Sequence, residues 1–315
     1  GCRQYSRNIK LSFSDSKMKE VVIVFGGESV ESEISKKTAL SIYKNIDREK
    51  FQASLVDYLN FNVQDLNENT VVFIAIHGKG GEDGEIQKIL EQQNIPFTGS
   101  GYLSSTYCWD KEMSKKILIE NSINTPEFLH VDNLDIDLKK DFFQNLNQSY
   151  FVKPTASGSS FGIKKINKLS DIREAVEEAL KYSKSAIIER AFNSSEYTVS
   201  ILKGVAFQPL EIVPNGNSVF YDYEAKYLST LTRKELVTNE ILSQELKDLA
   251  LRAFDAHFCK TWGRVDIVSD GDKLAVIDLN TVPGFTELSL FPISAKAEGI
   301  SFKQLITEII ADATN

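Results

Sequence analysis

The chain has 315 residues, of which 42% are hydrophobic and 25% charged, and this length allows two or three domains with cores of their own. The formal net charge of −8 argues against a nucleic-acid or anionic-membrane partner, so a bound anion must be held by a local cluster of Lys and Arg. Cys2, Cys108 and Cys259 are widely spaced without a C-x-x-C motif, which favours a reducing, cytoplasmic setting over a disulfide framework or a zinc site.

The first third of the chain alternates predicted strands and helices. Residues 1–17 are polar and lack the apolar region of a signal peptide, so we interpret them as a remnant of upstream sequence and Met18 as the native start. No apolar run in the chain is long enough to predict a membrane span. The predicted strands are VVIVF, ASLVDYL and TVVFIAIHG, and the predicted helices are SEISKKTALSIYKNI and GEIQKILEQQ. This alternation predicts a doubly wound α/β domain over residues 18–110.

The remaining sequence predicts two α+β units. A helix over 110–123 leads into a central unit, 111–190, in which SYFVKP and AIIERAF read as strands around a helix in SDIREAVEEALKY. Two-stranded patterns dominate the final unit, 191–315, where SQELKDLALRAFDAHF and FKQLITEIIADA read as helices. The predicted fold is therefore one α/β domain followed by two α+β domains.

The hairpin GRVDIVSDGDKLAVIDLN carries three candidate metal ligands. Asp278 and Asn280 are two residues apart on one strand, so both side chains leave the same face, and Asp266 can join them from the other strand. Carboxylate and amide oxygens suit Mg²⁺. The alternative is a solvated polar face, but an acid on an otherwise apolar strand needs a partner.

The loop in FVKPTASGSSFG, residues 151–162, has almost no apolar side chain and offers backbone N–H groups and hydroxyls to an anion. It does not match the Walker A pattern, and alone it could be a surface turn. Beside Lys153 and a Mg²⁺ cluster it indicates a nucleotide site. GKGGEDG, residues 78–84, does not fit the dinucleotide-binding pattern, which argues against NAD.

Eight segments occur in the order seen in D-alanine–D-alanine ligases of the ATP-grasp superfamily, and the chain resembles that family over 20–312. They are FGGESVESEIS, AIHGKGGEDG, FTGSG, DKEMSK, FVKPTASGSSFG, FYDYEAKYLS, GRVDI and DLNTVPGFTELSL. The resemblance implies an ATP-grasp fold. It also implies ATP-dependent joining of two D-alanines through an acyl-phosphate, for peptidoglycan synthesis.

The resemblance implies a set of ATP contacts. Lys111 and Lys153 would hold the α- and β-phosphates, and Lys226 would contact the γ-phosphate. Two Mg²⁺ (or Mn²⁺) would bind at the hairpin acids and bridge the same oxygens. On the nucleoside, the implied contacts are Glu189 with the purine, backbone groups of Arg190, Ala191 and Phe192 with its edge, and Glu196 with the ribose.

The resemblance also implies substrate contacts. Glu31 would pair with the ammonium of the first D-alanine, His77 would lie near its carboxylate, and Ser289 and Leu290 would position the second carboxylate. Glu31, Ser159 and Tyr227 would form a hydrogen-bonded trio, and Arg264 with the Gly284 N–H would stabilise the tetrahedral oxyanion. His77 could instead be a packed strand-end histidine, and Tyr227 a core aromatic. We expect Asp266 to point to the opposite strand face from Arg264, unless the hairpin twists locally.

Two positions depart from the family pattern, and two other functions stay open. Asp278 stands where the family usually has Glu, and Arg190 stands where it usually has Lys. The alternatives are a depsipeptide ligase joining D-alanine to D-lactate, which Tyr227 disfavours, and a nucleotide-binding regulator without catalysis, which the intact Arg264, Lys226 and metal set disfavour. The resemblance further implies a homodimer.

Overall fold

A computed structural model describes residues 18–145, 148–158, 161–213 and 233–314. Within these residues the strands form three sheets. Four short 3₁₀ helices lie in the connections, at Tyr58–Asn60, Val63–Asp65, Asp141–Phe143 and Leu169–Asp171.

The first sheet is parallel, with the strand order β2-β1-β3. Its strands are β1 (Lys19–Phe25), β2 (Phe51–Asp57) and β3 (Thr70–Ile74), and its helices are α1 (Ser32–Asn45) and α2 (Glu85–Gln92). Helix α1 packs Ile42 against one face, which includes Ile23, and α2 packs Leu90 against the other, which includes Val72. Helices on both faces of a parallel sheet confirm the predicted doubly wound arrangement.

Two helices that follow meet at Asp110. Helix α3 (Tyr102–Trp109) ends there, α4 (Lys111–Glu120) begins there, and the Asp110 carboxylate accepts a hydrogen bond from the Met113 N–H at 2.9 Å. Just beyond α4, Ser122 takes a left-handed conformation with φ 56°. The sequence predicted α4 but not α3.

The second sheet is antiparallel, with the strand order β4-β7-β5-β6. Its strands are β4 (Phe128–Val131), β5 (Tyr150–Pro154), β6 (Lys164–Ile166) and β7 (Ala186–Arg190), and helix α5 (Ile172–Ala179) packs on it. The apolar side chains of α5 and of β5 and β7 share one core, as the α+β prediction requires.

The third sheet has the order β11-β10-β8-β12-β13, with β9 paired to β8. Its strands are β8 (Glu196–Leu202), β9 (Val205–Ala206), β10 (Leu210–Val213), β11 (Arg233–Leu236), β12 (Trp262–Asp270) and β13 (Lys273–Asn280). The accompanying helices are α6 (Glu240–Ala256), α7 (Leu290–Ala297) and α8 (Phe302–Asp312).

The first and third sheets share a core. Trp262, at the start of β12, lies with its ring 4.8 Å from Phe285 and 6.1 Å from Phe73 of β3 (centroid distances). Helix α8 adds Ile306 to the same cluster. The carboxyl end of the chain therefore packs on the amino-terminal sheet, which holds the β12–β13 hairpin close to the loops after β1 and β3.

The two described cysteines are free thiols, and they lie together although they are far apart in sequence. The sulfur atoms of Cys108 in α3 and Cys259 after α6 are 3.6 Å apart. Burial raises the pKa of Cys108, whereas hydrogen bonding, first of all from Cys108, lowers the pKa of Cys259. Among the residues in the described ranges, no helix has the length and apolar character needed to cross a membrane.

Candidate active site

A cavity of about 780 Å³ lies where the three sheets meet. Thirteen of the residues that we predicted for the site line it: Glu31, Lys111, Lys153, Glu189, Phe192, Glu196, Arg264, Asp266, Asp278, Asn280, Gly284, Ser289 and Leu290. These residues lie between positions 31 and 290, so the fold gathers residues that are far apart in the sequence.

The acidic end of the cavity is the β12–β13 hairpin. The antiparallel register sets Asp266 directly opposite Asp278, and Arg264 directly opposite Asn280. Residues two apart on a strand share a face, so all four side chains point into the cavity. The register shifts just after Asp266, where a bulge ends the regular pairing. The structure therefore brings the three predicted ligands together.

Our expectation that Arg264 and Asp266 point to opposite faces is wrong. The two residues are separated by one position, which puts them on the same face of β12. The Arg264 guanidinium donates to both Asp266 oxygens, from Nε to Oδ1 and from Nη2 to Oδ2, each at 2.9 Å. Thr198 on the neighbouring strand donates to Oδ1 at 2.7 Å. Asp266 is 7% exposed, and this bidentate pair compensates its burial.

The donor set at the hairpin fits a hard cation. It consists of two carboxylates and the amide oxygen of Asn280, which also accepts a hydrogen bond from the Val282 N–H at 3.0 Å. No group of three His, Cys, Asp or Glu side chains gathers within the described part of the chain, so the amide is needed to complete three ligands. Oxygen-only donors of this kind suit Mg²⁺ or Mn²⁺ and not zinc.

The wall of the cavity formed by β5 and β7 contains a buried charge cluster centred on Glu189 of β7. Lys153 of β5 reaches Glu189 Oε1 at 2.6 Å, and Lys115 of α4 reaches Oε2 at 2.6 Å. Burial works to raise the pKa of Glu189, but the two lysines outweigh it and lower that pKa. Sequence reasoning missed Lys115. It lies one helical turn after Lys111, and that spacing, which places both lysines on one face of α4, was the available signal.

Lys111 ties the glycine-rich loop to α4. Its Nζ donates to the Ser157 carbonyl at 2.9 Å, and its backbone N–H donates to the Thr155 carbonyl at 2.8 Å. Ala156 forms an isolated bridge with Asp110. The first half of the loop is thus held at the amino-terminal end of α4, where the helix dipole is positive.

Glu31, at the start of α1, is sandwiched between two glycines. It is 3% exposed, and a Cβ atom built on either Gly78 or Gly158 would overlap its carboxylate. Gly158 also comes close to Gly78, with its Cβ position 3.4 Å from the Gly78 Cα. The loop after β5 therefore packs directly on the amino-terminal domain at Glu31.

Two of the three residues that we predicted to read the purine edge already use their backbone N–H groups within the protein. The N–H groups of Arg190 and Ala191 already donate to the carbonyls of Glu127 and Ser149 at 2.9 Å. The Arg190 side chain turns away from the cavity, because its guanidinium pairs with Glu127 at 2.7 Å. Of the three predicted residues, Phe192 lines the cavity. Its N–H has no acceptor within the described ranges.

His77 lies just behind the cavity wall. It is 1% exposed, its Nε2 is 2.8 Å from Thr38 Oγ1, and its Nδ1 is 3.2 Å from the Val282 carbonyl. Its neighbours Thr38 and Glu82 line the cavity, whereas His77 does not. This geometry favours the packed strand-end histidine over direct contact with a substrate carboxylate.

The amino terminus of α7 forms another wall. Ser289 precedes the helix, its Oγ accepts a hydrogen bond from the Thr286 N–H at 3.0 Å, and Leu290 begins the helix. A Cβ atom built on Gly284 would lie 3.5 Å from Ser289 Oγ, an ordinary van der Waals distance, so no protein atom crowds the Gly284 backbone there. Helix amino termini attract anions.

Lys234 of β11 lines the cavity, and sequence reasoning missed it as well. Its Nζ donates to the Leu288 carbonyl at 2.9 Å, and burial, followed by the nearby Arg264, lowers its pKa. Nothing in the sequence around it distinguishes it from a surface lysine. Three predicted residues, Ser159, Lys226 and Tyr227, lie outside the described residues.

Comparison with known proteins places the chain in a family. A family model described as "D-ala D-ala ligase C-terminus" matches residues 115–311, and one described as "D-ala D-ala ligase N-terminus" matches residues 59–100. D-alanine–D-alanine ligase B of Clostridium perfringens is 37% identical over 302 residues, which cover 94% of this chain and 98% of that protein. D-alanine–D-alanine ligase of Pseudoalteromonas atlantica is 36% identical over 301 residues, which cover 93% and 94%.

A solved structure agrees with these matches. The crystal structure of D-alanine–D-alanine ligase from Bacillus anthracis complexed with ATP aligns with a TM-score of 0.82 at 28% identity, covering 94% of this chain and 97% of that chain. The predicted ATP-grasp fold is confirmed. The chain belongs to the D-alanine–D-alanine ligase family.

Proposed function

We propose that this protein joins two D-alanines to D-alanyl-D-alanine, with ATP converted to ADP and phosphate, as a step in peptidoglycan precursor synthesis. The observation that carries the proposal is the cavity in which the acidic hairpin, Arg264, Glu31 and the Glu189–Lys153 pair face one another. The family membership supports it, since the relatives have the same name and match nearly the whole chain.

The nucleotide would lie between the second and third sheets. Glu189 would accept a hydrogen bond from the purine amino group, and the Phe192 N–H would donate to the ring. Lys111 and Lys153 would neutralise the phosphates, which the first half of the glycine-rich loop would cover with its backbone N–H groups. Glu196, at the start of β8, would meet the ribose hydroxyls.

Asp266, Asp278 and Asn280 would hold two Mg²⁺ or Mn²⁺. When bound, such cations neutralise the charge on the phosphate oxygens. Both oxygens of Asp266 accept hydrogen bonds from Arg264. A cation bound at Asp266 would therefore share the carboxylate with the Arg264 guanidinium or displace the guanidinium. Asp278 has one methylene fewer than the usual Glu, which favours monodentate coordination.

The amino-acid substrates would lie between Glu31 and α7. Glu31 would pair with the ammonium of the first D-alanine, whose carboxylate receives the γ-phosphoryl group. The second amine would then attack the acyl-phosphate, and Arg264 with the Gly284 N–H would stabilise the oxyanion. The space beside Gly284 lets a ligand approach that backbone closely. The amino terminus of α7, at Ser289 and Leu290, would hold the second carboxylate.

The test is a coupled ADP-release assay with three substrate mixtures. We expect fast ADP formation with ATP and D-alanine, and a product with the mass of the dipeptide. ATP with D-lactate and D-alanine should give little depsipeptide, and ATP alone should give little ADP. ADP formation that does not depend on D-alanine would contradict the proposal, and depsipeptide as the main product would replace it.

The proposed assembly rests on the resemblance, and the proposed location rests on the scattered cysteines. We propose a cytoplasmic homodimer. Its mass can be measured by light scattering after gel filtration. A monomer at micromolar concentration would contradict the dimer without affecting the proposed chemistry.

A further inference from the structure

Lys115 is a fully buried lysine whose role the catalytic scheme leaves open. Its side chain is 1% exposed, and it reaches from α4 to Glu189 of β7. Its Nζ contacts three oxygens from two segments: Glu189 Oε2 of β7 at 2.6 Å, and Thr125 Oγ1 at 2.7 Å and the Pro126 carbonyl at 3.3 Å in the chain before β4. Two of the three ammonium N–H groups donate to Thr125 and Pro126, and the contact with Glu189 is an ion pair. Lysine is almost never fully buried unless it is paired in this way.

The pairing places Lys115 behind Glu189 as seen from the cavity. Lys153 and Glu189 line the cavity, whereas Lys115 does not. The order from the protein interior outward is therefore Lys115, Glu189 and Lys153. Burial lowers the pKa of Lys115 to about 8, an effect that Glu189 partly offsets, so the ammonium is largely protonated at neutral pH.

The second counterion matters because Lys153 has two tasks. It pairs with Glu189 at 2.6 Å, and it would also serve the phosphates of a nucleotide in the same cavity. When Lys153 turns to a phosphate, Glu189 loses one of its two cations. A buried carboxylate without a cation tends to take up a proton, and a protonated carboxyl no longer discriminates in favour of an amino group.

We propose that Lys115 is a positioning residue that keeps Glu189 ionised and aimed at the purine, so that the enzyme selects a purine with an exocyclic amino group at position 6. This inference rests on the proposed function, because it assumes that the nucleotide binds in this cavity with its base against Glu189. Lys115 touches neither nucleotide nor reacting atoms. It acts through the carboxylate alone.

The experiment compares ATP with inosine triphosphate, which has an oxygen in place of the 6-amino group. Calorimetry without D-alanine gives the affinity for each nucleotide. For Lys115→Met we expect ATP to bind about 10- to 150-fold more weakly, the range of one hydrogen bond to a charged group. The affinity for inosine triphosphate should fall much less, and turnover at saturating ATP should change little. Lys116→Met is the matched control, since Lys116 is the next residue and pairs with Glu112 on the surface.

A purely structural role for Lys115 gives a different result. Equal weakening of both nucleotides would overturn the inference, as would unchanged ATP affinity. Lys115→Met leaves a buried carboxylate with one cation fewer, which could prevent folding. The double variant Lys115→Met/Glu189→Gln removes that carboxylate charge, so it serves as a second test that does not depend on the single variant folding. Adding Lys115→Met to Glu189→Gln should leave the ratio of the two affinities unchanged, and a further loss of preference for ATP would contradict the inference.

The outcomes separate the inference from the proposed function. If the unmodified protein binds ATP and makes the dipeptide while Lys115→Met keeps its preference for ATP, only the inference fails. If the unmodified protein binds neither nucleotide, the proposed function fails.

Discussion

Gly158 offers a sharp test of whether the glycine-rich loop must pack on Glu31 for catalysis. Its φ lies outside the left-handed region, so alanine fits the backbone, but the added Cβ would overlap the Glu31 carboxylate. Glu31 is 3% exposed and has little room to move. Overpacking of this kind costs about 1–3 kcal/mol. Because the loop can escape by lifting away, the cost should fall on the packed state and reduce kcat/KM by about 5- to 150-fold.

The same reasoning predicts that the melting temperature of Gly158→Ala stays nearly unchanged. Gly271, in the β12–β13 turn, gives the reverse control: its φ is +58°, and nothing lies within 4 Å of its Cβ position. Gly271→Ala should lower stability slightly through backbone strain and leave kcat/KM intact. Steady-state kinetics and thermal melts on both variants test the pair. Unchanged kcat/KM in Gly158→Ala would refute the reasoning. A fall in kcat/KM accompanied by a matching fall in melting temperature would refute it as well.

Other perturbations test other parts of the site. Asp266→Asn should raise the Mg²⁺ concentration needed for half-maximal rate and slow turnover strongly; an unchanged Mg²⁺ titration would remove Asp266 from the ligand set. Arg264→Ala should lose about 10²–10³ in turnover with a much smaller loss of ATP affinity, and a collapse of affinity alone would make Arg264 a nucleotide ligand. Trp262→Ala should lower the free energy of unfolding, measured by urea denaturation, by about 3–5 kcal/mol, because the Trp262 ring packs between Phe285 and Phe291. A decrease below ~1 kcal/mol would contradict that packing.

The parts of the site that the sequence could predict are those set by local geometry. The hairpin ligands are an example, since alternation along a strand and pairing across a short turn leave Asp278 and Asn280 little freedom. The same rule places Arg264 beside Asp266, so that error came from misapplying alternation and not from missing information. The motif at 151–162 likewise located the loop, because its composition excludes a core segment.

The parts that the sequence could not predict depend on packing between distant segments. Lys115 is an ordinary helix lysine until the fold buries it beside Glu189 of β7. Cys108 and Cys259 meet only because α3 lies against the end of α6. The Arg190 side chain turns away because Glu127, on the chain before β4, offers it a partner. Pairings of this kind depend on tertiary structure, which a single sequence does not display.

The charge of the cavity gives an independent reason to expect divalent cations. Over its described lining residues the cavity has six basic and seven acidic side chains, so it is not a basic pocket. Several of its charges already neutralise one another, as Arg264 does Asp266 and Lys153 does Glu189. A nucleoside triphosphate adds about four negative charges. In a protein of net charge −8 this addition would be repelled unless cations enter with it, and two divalent cations supply the balance. ATP affinity should therefore depend steeply on Mg²⁺ or Mn²⁺, more steeply than a basic pocket of the same size would require.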